Sequence, residues 1–514
     1  MSALHQISSS TLSSLPGELT APNTQKKKPS LLELEAPTPS GKGVLDPVRP
    51  RDAGVSVPAG PWLSELAGAD ALQKPFADAF LESQRQTFVE ILESGLPGRS
   101  EMVKAAIQKR LESPAALNRG IADWRDAEIM KELKTRTYVG RAGFVLNSED
   151  GHANQPNTVR HHGVGRVMSI GDSDRIGCAP YELEVRSWLT SLELISRSRH
   201  FSPSTGLKAM RAFLEAYRSG IESVAKAEDP EQVAKSLRIT EDNPPAILEP
   251  YFQKAEDKSH EEWLKKVIDK EPLRFASNPE KLIPLPDDQA GVKVRSAIMG
   301  AIPAYLEGLK PEEREKLKDL SVADIVMPVK GNGSLGFGRY QVLLAPPDNK
   351  RQHCVVLELK EQVAAPLDSL IDQAPSAMYG DNSAKRAVNL FRLGTGKHAA
   401  EDWGQVEIPG AGVRSTHFTV KQVHGDEVGM DLVDIKQKEL IELARAQGQI
   451  VAAFQALGGL NDGEVNIGGP QDIFYDFNAR PSFNDESVKS ARDLAAKVEA
   501  QFAKFKQAFQ GLAA

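Results

Sequence analysis

Residues 325–362 read IVMPVKGNGSLGFGRYQVLLAPPDNKRQHCVVLELKEQ. Apolar β-like runs flank a Pro-Asp-Asn turn and are introduced by a glycine-rich loop, Lys330 to Gly338, so this stretch predicts a strand–loop–strand unit. Glycines at 331, 333, 336 and 338 let backbone N–H groups approach a phosphate, because no Cβ blocks the turn. A dinucleotide fingerprint requires a helix after such a loop, whereas a strand fits a kinase-type hairpin that covers phosphates. An ordinary glycine-rich turn is the competing reading. The second run, Val355 to Lys360, ends in a lysine, the position from which a kinase lysine reaches the α/β-phosphates. A solvated lysine at a strand end is the alternative there.

Outward from this stretch, the chain of 514 residues has 40% hydrophobic and 26% charged residues, with room for about three domains. A formal net charge of -7 argues against a protein that coats nucleic acid. Cys178 and Cys354 are too few for a disulfide framework or a cysteine-built zinc site. No run of about 18 apolar residues predicts a membrane span, and residues 1–19 lack the form of a Sec signal. The expectation is a soluble, cytoplasmic protein.

Residues 1–61 hold nine prolines, nine serines and no aromatic residue, which predicts a disordered tail. An export signal of the non-Sec kind used by bacterial effectors is the sharper alternative. From Trp62 onward helical spacing recurs over 72–96, 100–113, 180–197 and 206–227, followed by a polar, helix-rich stretch to about Lys318. A further strand is expected near 417–423, and helix from Asp434 to Leu512 apart from a Gly/Asn/Asp-rich interruption at 458–486. The class is α+β with helix in excess.

Two more clusters carry chemistry. Glu149 to Asn157 places Asp150 two residues before His152 and close to the amides of Asn154, Gln155 and Asn157. An aspartate there can accept a substrate proton while an amide oxygen helps hold Mg²⁺; a polar turn is the alternative. Ser169 to Asp174 sets Asp172 and Asp174 at i and i+2 after an apolar run, which suits a hard cation that bridges phosphates. Asp172 follows Asp150 by 22 residues, compatible with a catalytic loop followed by a short hairpin that carries the metal aspartate. His161-His162 with His152 lacks a fourth ligand at useful spacing, so zinc is rejected.

The order of these clusters is inverted relative to a protein kinase, since the glycine-rich loop follows Asp150 by some 180 residues. In that order the chain resembles the bacterial domain-of-unknown-function 2252 family, itself distantly kinase-like. Its members read SPFAFxRG, GDAHxxNFG, DxNDFDE, GPxEWDxKR, GVGSVG, LQVKEA and FYVRQL. The corresponding segments here are Ser113 to Gly120, Asp150-Gly151-His152, Gly171 to Asp174, Ala179 to Arg186, Gly331 to Gly336, Leu357 to Glu361 and Phe418 to Gln422, over roughly residues 100–510. Departures are Glu149 for glycine, Gln155 for asparagine, Ser169 for aspartate, Gly171 for asparagine, and Phe454-Gln455-Ala456 for a late Ala-His-Ala.

The resemblance implies a two-lobed kinase-like fold with circularly permuted motif order, and an ATP- and Mg²⁺-dependent phosphotransferase. Gly331, Gly333, Ser334, Gly336 and Lys360 are expected to bind the nucleotide. Asp150, His152 and Lys360 are the catalytic candidates, and Asp172, Asp174, Gln155 and Asn157 the metal ligands. The acceptor, a protein or a small molecule, is not legible. The departures keep a second expectation open: a nucleotide-binding pseudokinase that acts as an interaction module.

Overall fold

The six-stranded antiparallel sheet formed around residues 325–362 organises the molecule. The computed structural model describes residues 70–161, 163–172, 174–278, 281–365, 367, 379–396, 402–461 and 465–512. The expected tail at 1–61, His162 and Ser173 lie outside the described residues. The chain divides into two units at Val55/Ser56, and all described residues fall in the second.

Among the described residues four sheets form, and helix is in excess of strand. β1 (Val145–Asn147) pairs with β4 (Gly177–Ala179); β2 (Pro156–His161), β3 (Gly165–Ile170) and β5 (Ile239–Thr240) form a second sheet; β6 (Ile268–Asp269) pairs with β7 (Arg274–Phe275). The large sheet has the order β12 (Gly404–Glu407), β13 (His417–Gln422), β11 (Val355–Glu361), β10 (Arg339–Ala345), β9 (Ser321–Pro328), β8 (Leu282–Pro284). The predicted strand–loop–strand unit is thus β9–loop–β10, with β11 after the Pro-Asp-Asn turn. The strand expected near 417–423 is β13, and the short hairpin expected between Asp150 and Asp172 is β2–β3.

Side-chain alternation gives the large sheet two unlike faces. Ile325, Met327, Tyr340, Val342, Leu344, Leu357, Leu359, Phe418 and Val420 all enter one apolar core. That core also takes the helices Ala79–Glu93, Arg99–Leu111 and Gln289–Gly308 and the aromatic end of Phe483–Phe509. The opposite face is apolar at one end, where Val326, Leu343 and Val356 pack with Leu264 and Ile268. At its other end it is polar. In register there, Arg339 stands opposite Lys360, and Lys360 opposite Thr419; Gln341 opposes Glu358, and Glu358 opposes Lys421. This polar end faces the candidate site.

A second large core is built on helices Tyr181–Ser198, Pro203–Ala225, Ser383–Thr395 and Gln437–Leu460. Residues 181–196 of the first of these are buried on every side, which explains why its carboxylates all find partners. Glu182 binds Arg186 at 2.9 Å and Arg480 at 2.6 Å. The interruption expected at 458–486 contains a helix, Pro470–Asn478, seeded by a proline in its first turn and by Asp472, which accepts from Gly469 N at 3.1 Å. No helix among the described residues is long and apolar enough to cross a membrane.

Candidate functional site

The loop between β1 and β2 is fastened to the buried helix Tyr181–Ser198. Glu184 accepts from Ser148 N (2.8 Å), Ser148 Oγ (2.6 Å) and Trp188 Nε1 (2.7 Å), and Ala153 N donates to Ser191 Oγ at 3.0 Å. Glu149, where the resembling family has glycine, adopts φ +51°, a left-handed conformation that costs a side-chain-bearing residue on the order of 1 kcal/mol. Two arginines hold the carbonyls on either side of Asp150. Arg175 Nε donates to Glu149 O at 2.7 Å, and Arg125 Nη1 to Gly151 O at 3.2 Å. Asp126 lies between those arginines, 2.8 Å from Arg125 Nε and 3.6 Å from Arg175 Nη2. Asp150 thereby projects into a cavity of about 1010 Å³. His152 Nε2 is 3.5 Å from Asp150 Oδ2, while Asp150 Oδ1 and His152 Nδ1 are buried without a hydrogen-bond partner.

Most of the predicted residues line this one cavity: Asp150, His152, Gln155, Asn157, Asp172, Asp174, Gly331, Gly333, Ser334 and Lys360. Gly336 does not. At φ +101° it packs on the helix Ala79–Glu93, where a Cβ would come within 2.8 Å of Ile91 Cδ1, so its constraint is steric. Gln155 Oε1 lies 3.3 Å from Ser148 Oγ, whose single proton is given to Glu184 at 2.6 Å, so the amide oxygen has no committed donor. Asn157 Oδ1 is buried without a partner.

Asp172 follows β3 directly, and Asp174 comes two residues later. Lys360 Nζ, reaching across from β11, lies 2.8 and 2.7 Å from the two Asp172 oxygens and 2.7 Å from Asp174 Oδ2. Desolvation in the cleft works to raise the Asp172 carboxyl, but Lys360 and Arg339 outweigh it and hold it well below the carboxylate range. Asp174 moves the other way, pushed up by desolvation and by Asp172. Desolvation opposes the charge on Lys360, yet the two aspartates prevail and raise its affinity for the proton. Beside it, Glu358 binds Arg339 at 2.9 Å and also pairs with Lys330. Its burial is outweighed by Arg339, Lys330 and Lys421, which keep it ionised far below its usual range.

These residues suit a magnesium ion that shares its coordination with phosphate oxygens, since Mg²⁺ uses one or two carboxylates and retains waters. Asp172 and Asp174 already converge on one cationic point, and Asp150 Oδ1 and Asn157 Oδ1 are oxygen atoms that no protein donor satisfies. Among the described residues no group of three or more His, Cys, Asp or Glu side chains is gathered for a metal.

The glycine-rich loop closes the cavity from the side of the helices Arg99–Leu111 and Pro114–Gly120. Lys109 Nζ donates to Gly331 O at 2.9 Å, Arg110 Nη2 to Asn332 O at 3.4 Å, and Asn332 Nδ2 to Ala116 O at 2.8 Å. Glu361 fixes the loop's far end, accepting from the N–H groups of Gly338 (2.7 Å), Val413 (2.9 Å), Arg414 (2.6 Å) and Ser415 (2.8 Å).

A model of the family described as "Uncharacterized protein conserved in bacteria (DUF2252)" matches residues 152–508, more than half of the chain. The chain belongs to this family. The DUF2252 match takes in the paired aspartates, the glycine-rich loop and Lys360, and begins two residues after Asp150. No curated protein and no solved structure matches the chain.

Arg339, Glu358, Lys421, Arg125, Asp126 and Arg175 were not singled out from sequence. For the first three a signal existed: charged residues at alternate positions of otherwise apolar strands, which mark one face of a sheet as polar. The others sit in helices or turns whose charges look like ordinary surface until the fold buries them.

Proposed function

We propose that this DUF2252 protein is an ATP- and Mg²⁺-dependent phosphotransferase with a kinase-like, two-lobed body whose motifs occur in permuted order. The observation that carries the reading is the convergence of Lys360, Asp172, Asp174 and Asp150 on one cavity roofed by the glycine-rich loop, although the chain brings them from segments up to about 210 residues apart. The nucleotide partner is taken with its phosphates beneath Gly331, Gly333 and Ser334. Asp172 and Asp174 hold Mg²⁺, which when bound neutralises charge on the transferring phosphoryl group.

The chain's own residues supply the rest. Lys360 turns from the aspartates to the phosphate oxygens, donating the same ammonium protons to new acceptors. Asp150 Oδ1, with no donor from the protein, accepts the proton of the acceptor hydroxyl, and His152 at 3.5 Å orients that carboxylate. The buried Asp126 and its two arginines keep Asp150 in place, so little reorganisation is needed at the moment of transfer.

Single-turnover transfer from γ-labelled ATP tests the reading: Asp172→Ala should lose at least about a hundredfold in rate while the fold survives. Full activity in that variant would sink the assignment. The second reading, a nucleotide-binding pseudokinase, is favoured by Gln155 and Ser169, which stand where the resembling family has asparagine and aspartate. Mg²⁺-dependent ATP binding without turnover in the wild type would decide for it.

A further inference from the structure

Three cations flank the glycine-rich loop, and the phosphotransfer reading does not use them. Lys109 and Arg119 line the cavity, and Arg110 lies just beneath, 2% exposed. Among the described residues none of the three has a carboxylate within ion-pair distance. Lys109 donates to the Gly331 carbonyl (2.9 Å), and Arg110 to Gln84 Oε1 (2.8 Å) and the Asn332 carbonyl (3.4 Å); these are neutral acceptors. Arg110 Nε is buried without a partner and packs against the cavity-lining Gly120, where a Cβ would lie 2.6 Å from it.

Their neighbourhood is the opposite of the site around Lys360, where every cation is matched by a carboxylate. A buried guanidinium without a counter-charge costs several kcal/mol unless an anion compensates it. Desolvation pushes Arg110 down to about 10. It lowers Lys109 too, with Arg119 and Arg339 adding to the effect against Glu112. Lys109 and Arg119 on the wall, with Arg110 behind them, outnumber the carboxylates nearby, Glu112 and Asp123, neither of which lies within ion-pair distance of them, and this surplus of positive charge matches an oxyanion.

We infer that Lys109 and Arg119, with Arg110 beneath them, form an anion subsite for the phosphoryl acceptor, which is a small molecule that already carries a phosphate monoester. The inference rests on the phosphotransferase reading for the word acceptor, but the subsite itself does not. The acceptor's phosphate anchors at Lys109 and Arg119, and its hydroxyl is then presented within the same cavity as Asp150. Transfer forms one P–O bond to that hydroxyl, breaks the β,γ-bridging bond of ATP and leaves the hydroxyl proton on Asp150.

Inorganic phosphate is the probe, titrated into the full chain by calorimetry at fixed ionic strength with acetate as the control. The expected result is saturable phosphate binding that Arg119→Gln weakens roughly tenfold, that Lys109→Gln weakens as well, and that Arg119→Lys largely retains. Mg²⁺·ATP affinity should stay within about twofold in Arg119→Gln and collapse in Lys360→Met. Equal phosphate affinity in the wild type and Arg119→Gln, or no phosphate binding at millimolar concentration, would overturn the subsite. Acetate bound as tightly as phosphate would overturn the phosphate-monoester assignment. A parallel loss of ATP affinity in Arg119→Gln would place these cations on the nucleotide's own phosphates and overturn the separate subsite. Phosphate binding through Arg119 with no ATP binding at all would leave the subsite standing and remove the phosphotransferase reading.

Discussion

Lys360 Nζ donates to both carboxylate oxygens of Asp172, at 2.8 and 2.7 Å, across 188 residues of sequence. The lysine is 8% exposed and the aspartate 43%, so the pair sits at the cavity wall between a buried strand and open solvent. It joins the large sheet to the end of the β2–β3 hairpin, and it sets the electrostatic state from which any ligand must start.

Removing that lysine should make stability depend on pH in a new way. In the wild type the lowered Asp172 stabilises the fold above the unfolded carboxylate value, about 4, and this is lost as pH falls toward its folded value. The raised Lys360 stabilises below about 10.4 and loses its contribution as pH rises through its folded value. Between those limits both contributions are present. In Lys360→Met, Asp172 and Asp174 lose the cation that contacts both, with only Arg339 and Lys421 left to act on Asp172, so the native state should take up protons more readily than the wild type does. The variant should be less stable by about 1–3 kcal/mol at pH 7, and the gap should narrow toward pH 5. Thermal unfolding midpoints across that range measure it; a constant gap would contradict it.

The two glycines of the loop should separate by role. Gly336→Ala forces a Cβ into Ile91 at a φ only glycine tolerates, and should cost about 2–3 kcal/mol while nucleotide affinity in the folded fraction is unchanged. Gly333→Ala has an ordinary φ and a single 3.3 Å approach to the Arg119 carbonyl, so stability should change by less than about 1 kcal/mol while phosphate approach suffers. Paired denaturation and ATP-binding curves distinguish the two.

Asp126→Asn should behave as the loss of a positioning residue. It leaves Arg125 and Arg175 without their shared counter-charge in the interior, for a cost of about 3 kcal/mol. Because those arginines hold the carbonyls flanking Asp150, turnover should fall by at least about tenfold while the dissociation constant for Mg²⁺·ATP stays nearly constant. A parallel change in both would mean that Asp126 supports only the fold.

Much of the local structure is legible in the residues. The strand–loop–strand unit, the β2–β3 hairpin between Asp150 and Asp172, and the long helices follow from spacing of period two or 3.6 and from glycine and proline punctuation. Helix Pro470–Asn478 was hidden by the polar, glycine-rich residues before it, which read as loop. Gly336 illustrates a different limit: its motif position suggested phosphate, and only the helix packed against it revealed a steric reason for glycine.

By itself the sequence determined the class of the fold, the elements that carry Asp150, Asp172, Asp174 and Lys360, and the family to which they belong. It could do so because backbone preference and hydrophobic periodicity are local. Tertiary structure alone decided that the polar end of one sheet face meets the hairpin, that Lys360 lies between two aspartates, and that Lys109, Arg110 and Arg119 form no ion pair among the described residues. Those facts depend on pairings between segments far apart in the chain, where burial and the sum of neighbouring charges, rather than residue type, fix what each group can do.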